Sequence, residues 1–143
     1  MKQLLAVAAM AAMLCLAGMV MSGTAFAQQC VDNGDGTVTD SGTGLMWQKA
    51  TADEMNWQTA MSYASSLTLG GHSDWSLPSK DELQRLYHSP CKSIMEVVSW
   101  HYWSTTTYAF HTSSAWLVFF NGGNVVTRNK SYSYYVRAVR AGQ

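Results

Sequence analysis

The sequence has little charge, few cysteines and no excess of either sign. Charged residues fill 13% of its 143 positions, about half the usual share of roughly 25%. Nine basic side chains face nine acidic ones, so no positive field exists for a broad grip on nucleic acid. Three cysteines without a Cys-x-x-Cys pair and four scattered histidines make no zinc site. A Gly-x-Ser-x-Gly elbow and a paired-histidine signature are both absent, so nothing points to an enzyme or to a cofactor. No period of 20–50 residues repeats. After Met21 no run is apolar enough to span a membrane. What the chain does have is apolar and aromatic mass, 48% hydrophobic with six Trp and seven Tyr. That is too apolar for a disordered chain, and its length suits one domain.

The first 27 residues read as a secretory leader. Lys2 supplies the positive start, Leu4 to Met21 carries no charge, and Ala25-Phe26-Ala27 places small residues around a cleavage point. The apolar run approaches spanning length, so an uncleaved anchor is the alternative. Leu14 before Cys15 argues against a lipidated cysteine. The expectation is an exported protein, periplasmic or secreted to the cell surface, with residues 28–143 forming a single domain and no membrane insertion after cleavage. Its two remaining cysteines, Cys30 and Cys91, are expected to form a disulfide in an oxidising compartment, with two free thiols as the alternative.

Local signals place the elements. Asp32-Asn33-Gly34-Asp35-Gly36 is turn chemistry, and Thr37–Thr39 and Leu45–Gln48 read as strands around a second turn at Ser41–Gly44. Asn56 can cap a helix with Trp57, Ala60, Met61, Ala64 and Leu67 on one face. Ser79 and Glu82 have capping-box spacing for a second helix that buries Leu83 and Leu86, and His88-Ser89-Pro90 stops it. Beyond Trp100 the chain reads as strands: Tyr102–Thr107, Ala115–Phe120, Val125–Arg128 and Tyr134–Arg140, with a hairpin turn at Asn121–Asn124. Two helices and a strand-rich, mainly antiparallel second half give an α+β domain.

These motifs, in order, resemble the Lcl C-terminal domain family. The resemblance rests on Asp32–Asp40, Gly44-Leu45-Met46-Trp47-Gln48-Lys49, Asn56-Trp57, Gly70–Pro78, Glu82-Leu83, Tyr102–Thr106, Ala115-Trp116 and Val136–Arg140. It implies a C-type-lectin-like fold in exported bacterial proteins, named after a collagen-like adhesin whose domain binds sulfated glycosaminoglycans. Many relatives carry a cysteine where this chain has Ala64 and another where it has Ala138, so that bridge is absent here. The segment Tyr102–Arg140 also resembles the variable end of diversity-generating-retroelement targets, which use the same fold.

The expected function is therefore a non-enzymatic binding module that takes a glycan, sulfated or not, or a protein. The glycines at 34 and 36 occupy would-be calcium-ligand positions, so a structural hairpin is favoured over a metal loop. His72, His88, His101 and His111 read as loop or edge residues. Trp47, Trp57, Trp75 and Trp103 read as core. The candidate ligand surface is Tyr108, His111, Asn121, Asn124, Arg128, Lys130, Tyr132 and Tyr134, with Leu117 and Phe119 at its centre. Alternation puts Trp116, Val118 and Phe120 on one side of their strand and Leu117 and Phe119 on the other, expected to face outward. With both sides apolar the strand is either central or has an occupied outer face. The alternatives are a variable receptor-type protein, or an assembly module that oligomerises through Leu117 and Phe119.

Export with cleavage after Ala27 predicts that amino-terminal sequencing of secreted protein begins at Gln28. Recovery of residues before Gln28 contradicts it.

Overall fold

A computed structural model describes residues 29–142. The leader and its cleavage bond lie outside the described residues. The strands are β1 (Cys30–Asp32), β2 (Thr37–Asp40), β3 (Leu45–Gln48), β4 (Ala52–Met55), β5 (His101–Thr107), β6 (Ser114–Phe119), β7 (Val125–Asn129), β8 (Tyr134–Val136) and β9 (Val139–Ala141). The helices are α1 (Trp57–Ser66) and α2 (Lys80–His88), followed by a 3-10 turn at Pro90–Ile94. One sheet has the order β1-β2-β3-β9, the other β4-β8-β5-β6-β7. Every pairing is antiparallel except β5 with β8. The domain is α+β, compatible with the C-type-lectin-like fold that the sequence resemblance implies.

Both helices start where capping chemistry puts them. The Asn56 side chain accepts from the Thr59 N–H at 2.9 Å. At α2 the Glu82 N–H donates to Ser79 Oγ at 3.1 Å while the Ser79 N–H donates to Glu82 Oε1 at 2.8 Å. Two orphan backbone donors are thereby satisfied.

The larger sheet is sandwiched between the helices. Leu83 and Leu86 of α2 pack with Tyr102, Val118 and Phe120 on one face, continuous with Val38, Trp47 and Val139 of the smaller sheet. Ala60 and Ala64 of α1 pack with Trp103, Ala115, Leu117 and Val136 on the other. The alternation along β6 is as expected, but Leu117 does not face outward. It is 0% exposed, because α1 covers the face that the sequence left open. The strand is central and covered on both sides. Trp47, Trp75 and Trp103 are buried as expected, and Trp57 is half-buried against the α1-side core. Ala64 and Ala138 both lie buried in that same cluster.

The disulfide joins Cys30 of β1 to Cys91 in the 3-10 turn across 61 positions. The Asp40 carboxylate lies with both sulfurs inside 4.8 Å, but it accepts from Ser89 Oγ and the Gly42 N–H, each at 2.9 Å. With the sulfurs bonded to each other, this trio is a structural joint.

The run Tyr134–Arg140 is not one strand. It breaks after Val136, and its two halves enter different sheets. Arg137 marks the break. Only 1% exposed, it donates through Nη1 to the carbonyls of Gln48, Lys49 and Ala50, and through Nη2 to Thr51 Oγ1 and the Glu96 carbonyl. Residues 48–51 are the other place where the chain passes between the sheets. Gln48 completes the joint: its N–H donates to the Ala138 carbonyl at 3.0 Å, its Oε1 accepts from the Ala138 N–H at 3.0 Å, and its Nε2 donates to Tyr63 Oη at 2.7 Å.

Burial pushes the Arg137 guanidinium below its ordinary value, yet an arginine stays charged in proteins. Arg137→Met would strand several buried carbonyls and is expected to lower unfolding free energy by about 3 kcal/mol or more. Urea denaturation measures this; a loss below about 0.5 kcal/mol, the range of ordinary surface substitutions, contradicts the account.

Candidate ligand-binding site

β5 lies in the middle of its sheet, between β8 and β6. Its first residue, His101, pairs with Phe119 of β6, and the parallel register of Tyr102 with Tyr135 sets Tyr134 of β8 on its other side. The rings meet. His101 stacks on Phe119 with centroids 4.4 Å apart and planes 14° from parallel, and Tyr134 lies 5.6 Å from His101. Trp100 stands edge-on to both His101 and Phe119, at 4.9 and 5.5 Å, and Tyr134 is anchored beneath by the buried Trp103 at 5.2 Å. Trp100 is 47% exposed, and His101, Phe119 and Tyr134 are half-buried. The result is an aromatic patch of three strand residues and Trp100 just ahead of β5.

His101 is the constrained member. Its Nδ1 is buried with no hydrogen-bond partner. Burial, and then the Arg128 charge, hold its pKa below the ordinary histidine value.

The expected site residues do not gather in one place. Phe119 and Tyr134 join the patch. Asn121 and Asn124 lie exposed in the turn after β6, beside Phe119, whose N–H donates to the Asn124 carbonyl at 2.8 Å. This turn is held from below: the Gly122 N–H donates to Tyr87 Oη at 3.1 Å. Gly123 has φ +81°, and a Cβ there would sit 2.6 Å from the Tyr87 ring. Tyr108 and His111 lie at the opposite end of β5 and β6. There they gather with Phe110, which is 82% exposed, and with Trp116, itself under the Lys80 ammonium at 4.7 Å.

The cations also separate. Arg128 is exposed, and its Nη1 donates to the Thr127 carbonyl at 2.8 Å. Lys130 is half-buried; its Nζ donates to Thr107 Oγ1 at 3.0 Å and lies 4.0 Å over the Trp57 ring. Its carbonyl accepts from the Trp57 N–H at 3.1 Å, so residues 130–133 cross from β7 to β8 on the α1 side. Tyr132, 58% exposed, sits in that crossover. Leu117 cannot touch a ligand, which also removes it from any contact between copies.

Sequence reasoning missed Trp100 and His101. The signal was there in Trp100-His101-Tyr102-Trp103, where alternation puts 101 and 103 on the same face as Phe119. Reading His101 as a loop or edge residue hid it, because β5 becomes central only when β8 returns parallel to it.

The family model for the Lcl C-terminal domain matches residues 36–140. The chain belongs to the Lcl C-terminal domain family. No match was found among curated proteins. The matched span of this Lcl C-terminal domain contains the patch and the Arg137 joint. It leaves out Cys30, so the disulfide ties a strand outside the matched span to the domain.

Lys130 and Arg128 should part company on substitution. Lys130→Ala is expected to cost about 1 kcal/mol of stability through its lost hydrogen bond and ring contact. Arg128→Ala should stay within about 0.5 kcal/mol of wild type. Parallel urea denaturations compare them, and equal effects would contradict this assignment.

Proposed function

We propose that this Lcl C-terminal domain is an exported, adhesin-type binding module that holds a glycan or protein ligand on the Trp100–His101–Phe119–Tyr134 patch, with the Asn121–Asn124 turn as its polar rim. The observation that carries the reading is the His101–Phe119 stack with Trp100 edge-on and exposed. Rigid aromatic rings offer large contact area at small entropy cost, and asparagine amides add hydrogen bonds around them. An apolar centre with a polar border is the layout of a recognition surface. No pocket opens among the described residues, which suits a ligand that lies across a surface.

Export is supported by the leader-like residues 1–27 and by the Cys30–Cys91 bridge. No helix among the described residues is long and apolar enough to cross a membrane. Arg137 and Arg140 are not ligand contacts in this reading. Arg137 faces carbonyls, and Arg140 holds Asp74 through Nε at 2.6 Å and Nη2 at 3.1 Å.

The test is a glycan array together with binding to intact cell surfaces, run on variants confirmed folded. Phe119→Ala and Tyr134→Ala should each weaken binding by about 2 kcal/mol, roughly thirtyfold, while Tyr108→Ala, at the other end of the sheet, should bind like wild type. If Phe119→Ala and Tyr134→Ala both retain full binding, the patch is not the site.

A further inference from the structure

The His101 ring is the keystone of the aromatic patch, and it is the one member whose charge changes near neutral pH. We propose that His101 makes the patch pH-sensitive: the stack on Phe119 is assembled while the imidazole is neutral and comes apart when it is protonated, so that the surface exists in neutral solution and is lost in acid. This regulation rests on the binding reading of the same patch.

His101 Nδ1 is buried with no partner, so the neutral ring carries its proton on Nε2, since a donor at Nδ1 would be buried without an acceptor. Protonation places an N–H and a positive charge at that same spot. The groups facing the ring do not receive it. Phe119 of β6 and Trp100 ahead of β5 are uncharged, Tyr134 of β8 presents a phenol ring, and the charge acting on His101 is the like charge of Arg128 from β7. A cation over the Phe119 face gains some attraction. That gain is smaller than the cost of a charged N–H buried without an acceptor, and Arg128 adds to the cost. Swinging the imidazolium into water restores its hydrogen bonds and removes the ring that joins Phe119 to Tyr134.

The pH direction follows from the lowered pKa of His101, whose ordinary value is 6.5. The stack's contribution is fully present above that value and is lost as pH falls through the lower, folded-state value. The pKa of His101 thus fixes the window, while the contacts fix what is lost.

The experiment needs no ligand. Tryptophan fluorescence and the histidine Cε1–H resonances are followed between about pH 8 and pH 5 in the wild-type protein and in His101→Phe, which keeps a ring in the stack but cannot be protonated. The expected result is a wild-type fluorescence transition below pH 6.5 that tracks the His101 resonance and is missing in His101→Phe. His72, His88 and His111 remain in the variant, so a transition arising from any of them persists there. Titration of His101 at or above its ordinary value, or an unchanged transition in His101→Phe, overturns the proposal. A failed transition leaves the binding reading standing, whereas Phe119→Ala and Tyr134→Ala binding like wild type would overturn that reading and leave the switch intact.

Discussion

Arg137 carries a positive charge into the interior and satisfies it with carbonyl oxygens drawn from two distant stretches, residues 48–50 and Glu96. Gln48 is the last residue of β3, Lys49 and Ala50 follow it where the chain passes between the sheets, and Glu96 lies in the irregular segment between the 3-10 turn and β5, so most of these carbonyls have no helix or strand ladder to absorb them. A buried carbonyl without a donor is expensive, and a buried cation without acceptors more so. Each solves the other's problem, provided both are in place. The two sheets therefore hold one mutual arrangement, and the position of β8 beside β5 depends on it.

The patch inherits its precision from that joint. Tyr134 begins β8 only three residues before Arg137, and its ring reaches His101 because β8 lies parallel to β5 at the register of Tyr102 with Tyr135. Phe119 arrives by a shorter route, through the β5–β6 hairpin. One ring is placed by local pairing and one by a long-range clamp. The aromatic patch is thus a property of the folded framework, with two polar loops, the Asn121–Asn124 turn and the 130–133 crossover, attached at the margins.

Local chemistry was legible in the sequence. The Thr37–Gln48 hairpin, the Asn56 and Ser79 caps, the paired cysteines and the period-two pattern of β6 all depend on residues within a few positions, or on a count of two. Events set by distant partners were hidden. Leu117 looked outward because the helix that covers it lies some fifty positions earlier, and the apolar face read on that helix does not say which strand it packs against. Ala52–Met55 has no strand pattern, and becomes β4 because β8 is there to pair with it. The break after Val136 was invisible because the acceptors that demand it belong to residues 48–51 and 96. Of the expected site, Phe119 and Tyr134 fall in the patch, Asn121 and Asn124 at its rim, and Tyr108 and His111 at the far end. Linear proximity in a strand-rich segment says little about which end of the sheet a residue occupies.

The latch between Tyr87 and the tip of the β6–β7 hairpin bears on how this surface can diversify. Gly123 has no room for a side chain against the Tyr87 ring, which is itself held by Lys92 at 3.8 Å and by Phe120 edge-on. Substitution at the tip is thereby channelled into Asn121 and Asn124, which are exposed. The side-chain chemistry of the tip can therefore vary while its height above the sheet stays fixed.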